Sequence, residues 1–224
     1  LATRPDIIGT ETAFDLLKLQ DDVPPFPGKK AIQIIEADLG LKITDLFEEF
    51  SAEPIAAASI AQVHMARTIK GKKVAVKVLR PGIAKAFKRD LEAFTWLAGI
   101  AELFSNEARR LRPSKVIETI AEVISLEMDL RIEAASAAEL KQNVKNNPYY
   151  DVPEVDWSRT SRRVLTTGWV DGISFKKLEK IKSAGLNPNK LAENLVQSFL
   201  SQALNDGFFH ADLHQGNLFA SLDN

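Results

Sequence analysis

From Ile83 to about Phe104, apolar side chains recur at Ile83, Phe87, Leu91, Phe94 and Leu97, the three- and four-residue spacing that lines one face of a helix. That spacing predicts a long amphipathic helix, opening after Pro81-Gly82. Val116, Ile120, Val123 and Ile124 repeat the pattern and predict a second long helix from Pro113-Ser114 to about Leu140, with unusually acidic later turns. Upstream, Ile60 to Thr68 and Lys73 to Leu79 flank Gly71 and read as strand, tight turn, strand. Short helices are predicted at Thr10 to Leu19 and near Lys29 to Leu39, parted by Pro24, Pro25 and Pro27, with Gly40 as the stop of the second. Beyond the loop opened by Asn146-Asn147-Pro148, Arg163 to Val170 reads as a strand and Leu191 to Leu204 as a buried helix broken by Asp206-Gly207. Helices, a small strand-rich region, two long helices, a strand and a helix leading into a polar loop make a mixed α+β pattern with two lobes.

Composition narrows the class. The 224 residues are 45% hydrophobic and 26% charged, enough apolar material for one sizeable core or two small ones rather than a disordered chain. With 29 basic and 30 acidic residues the formal net charge is -1, so no bulk field draws nucleic acid as a partner. There is no cysteine, which excludes disulfides, thiolate metal sites and a cysteine nucleophile and leaves the redox compartment open, an intracellular setting being compatible. No apolar run reaches the roughly 18 residues a membrane span needs, and no secretory leader is visible. The stretch opens on Leu1 and stops at Asn224 soon after its densest motif, so it is expected to be an excerpt of a longer protein.

That densest motif is His210-Ala211-Asp212-Leu213-His214-Gln215-Gly216-Asn217. In a protein-kinase catalytic loop an Asp accepts or orients the nucleophile's proton, and an Asn five residues later holds magnesium on the phosphates. Asp212 and Asn217 have that spacing. Two other readings compete: a polar surface loop with a capping Asp and a turn Gly, and direct metal ligation by His210, Asp212 and His214, since alternate residues of an extended segment share a side. Val74-Ala75-Val76-Lys77-Val78-Leu79 matches the kinase strand whose lysine contacts nucleotide phosphates, although a strand lysine turned to solvent reads the same way. Such a lysine needs a helix glutamate to hold it, and Glu127, Asp129 and Glu133 lie on the predicted helix that follows, Asp129 and Glu133 sharing a face. Singly, each is better explained by a solvated helix face, and it is the fixed order of loop, lysine, acid and catalytic loop that favours the kinase reading. Ala56-Ala57-Ala58-Ser59 stands where kinases carry a glycine-rich loop, but alanine's Cβ limits close approach of backbone amides, and composition alone reads this run as a scrap of helix.

Taken together, Pro54 through His64, Val74 to Lys77 with Arg80-Pro81-Gly82, Glu127-Met128-Asp129 with Glu133-Ala134, and His210 through Asn217 closely resemble the UbiB family of atypical kinases, over nearly the whole chain. The opening Leu1 to Asp6 and Leu19 to Pro25 resemble the stretch that follows the family's Lys-x-Gly-Gln motif, which would precede Leu1. The resemblance implies a kinase-like two-lobe fold with extra N-terminal helices and a truncated C-terminal lobe. It divides the chain into an N-terminal helical extension over 1–50, an N-lobe with a helical insert over 51–170, and the start of the C-lobe over 171–224. It implies ATP and magnesium as cofactors and a role in ubiquinone biosynthesis. The expected setting is intracellular, peripheral to or anchored at a bacterial inner or mitochondrial membrane, with a quinone-pathway lipid or the membrane surface as partner.

Carried over by motif, Ala56, Ala57, Ala58 and Ser59 would form the nucleotide loop, Lys77 would contact phosphates and Glu133 would pair with Lys77. Glu127 and Asp129 would face the Lys-x-Gly-Gln lysine. Gly168 to Val170 would make backbone contacts to adenine, Asp212 would act in catalysis and Asn217 would hold the metal. Gly168 stands where many relatives have Glu, and Ser136 where relatives often carry Asn. The family's Asp-Phe-Gly is not found, since Asp223 follows Asn217 too closely, and the stretch by itself is expected to be inactive. Three functions follow: an ATPase or small-molecule kinase of quinone metabolism, a non-catalytic nucleotide-gated scaffold or lipid-binding module, and a metallohydrolase at His210, Asp212 and His214. The Ile83 to Phe104 helix could touch lipid, though its default role is packing within the fold. The common wager is that Lys77, Glu133, Asp212 and Asn217 meet around one nucleotide cleft.

Overall fold

A computed structural model describes residues 24–211 and 213–222. Its helices are α1 (Gly28–Leu39), α2 (Ile43–Leu46), α3 (Ile83–Phe104), α4 (Asn106–Leu111), α5 (Pro113–Glu127), α6 (Leu130–Asn143), α7 (Leu178–Ser183) and α8 (Pro188–Ser201). Its strands are β1 (Phe47–Phe50), β2 (Ala56–Ala57), β3 (Ala61–Thr68), β4 (Lys73–Leu79), β5 (Val164–Gly168), β6 (Ile173–Ser174) and β7 (Phe219–Ala220). The helix predicted at Thr10 to Leu19 lies outside the described residues. The chain divides into two compact units. One comprises the described part of Leu1–Glu133 with Trp157–Thr166, the other Ala134–Asp156 with the described part of Thr167–Asn224.

The first unit is built on the predicted hairpin. β3 and β4 pair antiparallel from Ala61↔Leu79 to Arg67↔Lys73, turning at Gly71 with φ 77°. The sheet runs β1-β3-β4-β5, with β2 also on β3. Strand period sorts β4 cleanly: Val74, Val76 and Val78 are buried on one face, while Ala75 and Lys77 take the other. On the buried face α1 contributes Ala31, Ile34 and Ile35, joined by Leu46, Phe47, Ala66 and Val164. The helix assigned to an N-terminal extension is therefore part of the sheet's own core. Gly28 begins it because a Cβ there would overlap the Ala52 carbonyl, and Gly40, at φ 69°, closes it with its amide on the Glu36 carbonyl.

Three expectations change. The long helix predicted from Pro113 to about Leu140 is two helices, α5 and α6, broken at Met128-Asp129. Leu130 turns its amide away from the helical partner four residues back and donates to the Arg162 carbonyl at 2.9 Å, while the Asp129 carboxylate accepts the Arg131 amide and caps α6. The apolar stripe of α3 is not fully covered: α3 packs on α5, yet Phe94 and Leu97 remain exposed, as do Val116, Ile120 and Val123 of α5. The C-terminal helix starts at Pro188, capped by Asn187, and after Ser201 widens into a π turn over Gln202–Asp206 that Gly207 ends at φ 64°. It buries Ser198 and Gln202 and exposes Val196 and Leu200, the reverse of a buried apolar helix.

The second unit has its own small core, Leu140, Val144 and Val152 with Tyr150 and Phe208 against them. Its strands β6 and β7 pair antiparallel, Ile173↔Ala220 and Ser174↔Phe219, and so bracket the segment that carries the polar motif.

Candidate nucleotide site

Lys77 stands on the β4 face opposite the valine core, and its neighbour across the sheet is Val63. Its Nζ donates to both carboxylate oxygens of Glu133, at 2.8 and 2.7 Å. Glu133 lies in the first turn of α6, where the helix N-terminus favours a carboxylate. The two side chains are 29% and 48% exposed, so the pair contributes at most about 1 kcal/mol to stability. What it does is hold an ammonium in one place on an otherwise half-buried face. Glu127 and Asp129 do not take this position. Glu127 ends α5, and Asp129 is bound to Arg131, Oδ2 accepting from Nη2 at 2.6 Å and Oδ1 from Nε at 2.9 Å. Those Arg131 hydrogen bonds hold the Asp129 carboxyl below the usual carboxylate range.

The alanine run is strand and turn rather than helix. Ala56 and Ala57 pair with Val63 and Gln62, and the Ala58 amide donates to the Ala61 carbonyl at 2.8 Å. One amide of the loop is thereby spent within the loop, which leaves less backbone donor capacity for a phosphate than a glycine loop offers.

In the second unit the Gly168 amide donates to the Glu154 carbonyl at 2.8 Å, beside the Val155↔Thr167 bridge, and Val170 is exposed. The polar motif folds as a turn: the Asn217 amide donates to the His214 carbonyl at 3.1 Å, and Asn217 Oδ1 accepts the His214 amide at 3.2 Å. His214 Nδ1 in turn accepts the Gly216 amide at 3.0 Å. A carboxamide oxygen such as Asn217 Oδ1 is a hard donor of the kind magnesium takes, so the turn fits magnesium in donor type. Asp212 lies outside the described residues. Among the described residues no group of three His or acidic side chains could hold a metal ion.

Sequence reasoning passed over three features. Gln62 and His64 are buried on the core face of β3, Arg80 at the end of β4 bonds two separate segments, and Asp38 of α1 binds Ser161 and Arg163. The only signal for the first was a polar residue at alternate positions of a strand.

A strand lysine of an antiparallel sheet held by a helix glutamate is the ion pair of protein kinases. Residues 18–224 match the ABC1 atypical kinase-like domain, and the chain belongs to that family. The "Probable protein kinase UbiB" of Marinobacter nauticus is 43% identical over 224 residues, 100% of this chain and 41% of that protein. Its namesake in Pseudomonas aeruginosa PAO1 is 42% identical over 221 residues, 99% of this chain and 42% of that protein. The chain thus spans about two fifths of the length of these curated relatives. Rv3197 of Mycobacterium tuberculosis, solved with erythromycin, superposes with a TM-score of 0.69 at 28% identity, covering 96% of this chain and 53% of that one. The fold is accordingly kinase-like α+β. No helix among the described residues is long and apolar enough to cross a membrane.

Proposed function

We propose that this chain is the ATP- and magnesium-binding part of an atypical kinase or ATPase whose intact form supports ubiquinone biosynthesis at a membrane surface. The observation that carries the nucleotide half is the Lys77–Glu133 pair: an ammonium fixed at 2.7–2.8 Å by one carboxylate, on the strand face away from the core. Lys77 would meet the phosphates as a point charge with three donors, and Glu133 would keep its stem from wandering. Asn217 would offer its carboxamide oxygen to magnesium, and Asp212 would orient the attacking group. Magnesium, when bound, neutralises charge on the transferring phosphoryl group. Gly168 to Val170 would meet adenine through backbone groups, with the Gly168 carbonyl and the following amide as candidates because the Gly168 amide is bonded to Glu154. Glu127 and Asp129 would serve the family's Lys-x-Gly-Gln segment. The quinone role and the lipid or membrane partner rest on family membership.

In the full-length protein, Lys77→Ala and Asp212→Asn should each lower ATP turnover by at least about a hundredfold, the scale of a lost transition-state donor or base. Wild-type turnover in either variant would sink the catalytic reading. The Ala58 amide bonded within its loop favours a second reading, a nucleotide-gated scaffold without phosphoryl transfer. Restored quinone production in cells by those same variants would select it.

A further inference from the structure

Arg80 follows the last residue of β4 and comes three residues after Lys77. Its Nε donates to the Ala58 carbonyl at 2.9 Å and its Nη1 to the Pro24 carbonyl at 3.1 Å. Its own amide donates to the Ile60 carbonyl at 2.8 Å, and its guanidinium carbon lies 5.8 Å from the centre of the Phe26 ring. One side chain therefore joins the segment that precedes α1 to the alanine-rich loop. A second polar hold on that segment comes from Gln62, whose Oε1 accepts the Phe26 amide at 3.1 Å and whose Nε2 donates to the Phe26 carbonyl at 3.2 Å. Gln62 is itself the cross-strand partner of Ala57.

The chemistry of the fork matters. Arginine can send two N–H groups in divergent, fixed directions, which a lysine ammonium on a flexible stem does not reproduce. Arg80 Nη2 is buried with no hydrogen-bond partner among the described residues, so Nε and Nη1 carry the side chain's hydrogen bonds. The Ala58 carbonyl and the Ser59 amide belong to one planar peptide unit, so fixing the carbonyl on Arg80 also fixes where the Ser59 N–H points. In a loop of alanines, that peptide has less freedom to turn than it would in a loop of glycines.

We propose that Arg80 is a positioning residue that latches Pro24–Pro27 to the alanine-rich loop, so that docking of this segment and readiness of the loop for a phosphate-bearing ligand depend on one another. The inference rests on the nucleotide reading of that loop. Because coupling is reciprocal, a ligand that orders the loop tightens the segment, and a displaced segment weakens the ligand.

The test uses the full-length protein with Arg80→Met and Arg80→Lys, the second keeping charge and stem, each checked for a wild-type melting profile. Magnesium-ATP binding is measured by calorimetry, and backbone hydrogen exchange is followed at Phe26, whose amide is the one exchangeable backbone group of Pro24–Pro27, and at residues 55–61. Both variants should bind roughly tenfold more weakly, within the usual range of coupling between sites. Exchange at Phe26 and Ala58 should rise together, and ATP should protect Phe26 in the wild type but not in the variants. Wild-type affinity in both variants, or ATP protection of 55–61 that never reaches Phe26, would overturn the latch. If the wild type binds no ATP, the nucleotide reading fails by itself. The latch is then judged on exchange: joint loosening of Phe26 and Ala58 in Arg80→Met upholds it, and loosening of one alone refutes it.

Discussion

His64 shows how a single buried side chain constrains the site's scaffold. It is fully buried, stacked on Phe50 with ring centroids 5.0 Å apart. Its Nδ1 donates to the Ser51 carbonyl at 2.8 Å, which leaves Nε2 to accept from Gln62 Nε2 at 2.8 Å. Gln62 cannot reverse its amide without losing both bonds to Phe26, so a proton on His64 Nε2 would face another donor. Burial pushes the His64 pKa below its ordinary 6.5, with the Ser51 carbonyl opposing in part. The unfolded chain then binds more protons below about pH 6.5, so the stability present above that value is lost as pH falls from there through the folded pKa. Thermal melts of the wild type between pH 7 and 5 should decline by up to about 1.4 kcal/mol per pH unit over that window, and His64→Gln should flatten the decline. Parallel curves for the two proteins would show that another group titrates.

At the scale of elements, the break between α5 and α6 decides which acid faces Lys77. In one continuous helix Asp129 and Glu133 would share a face. With the chain turned at Met128-Asp129, Asp129 becomes the cap of α6 and Glu133 occupies its first turn. Asp129→Ala should cost about 1 kcal/mol as a lost cap, read as a lower urea midpoint with an unchanged slope. It should also raise hydrogen exchange at Arg131, and an unaltered exchange rate there would mean that the Leu130–Arg162 bond alone sets the break. The α3 and α5 pair illustrates the opposite case: local period is correct, yet Phe94, Leu97, Val116 and Val123 stay exposed.

Across the whole molecule, the first unit is closed by a contact between residues far apart in sequence. The Asp38 carboxylate accepts from Ser161 Oγ at 3.0 Å, from the Arg163 amide at 3.1 Å and from Arg163 Nε at 2.9 Å, joining the end of α1 to the segment that enters β5. Desolvation alone would raise the Asp38 pKa, but the hydrogen bonds from Arg163 and Ser161 outweigh it and hold the carboxyl below 3.8. The stability this contributes is present above pH 3.8 and is lost as pH falls through the lower folded value. Asp38→Asn should destabilise the protein by about 2 kcal/mol at neutral pH, the scale of hydrogen bonds to a charged group. Denaturant melts should show that gap closing in strong acid; a gap independent of pH would assign the effect to packing instead.

The elements legible in the sequence are those whose free energy is local or periodic: α1 and its Gly40 stop, the β3–β4 hairpin, α3 and the break at Gly207. The spacing of Asp212 and Asn217 and the strand of Lys77 were equally plain, because those motifs are contiguous. Which face of β3 is buried was not, since Val63 and Met65 are the more apolar set, yet Gln62 and His64 lie inside with their polar atoms met by Phe26 and Ser51. Nor does any local pattern connect Arg80 to Pro24, or Asp38 to Arg163. Periodicity measures what burying a face is worth, whereas the choice of partner depends on donors and acceptors brought together from distant segments, and only the folded chain settles that.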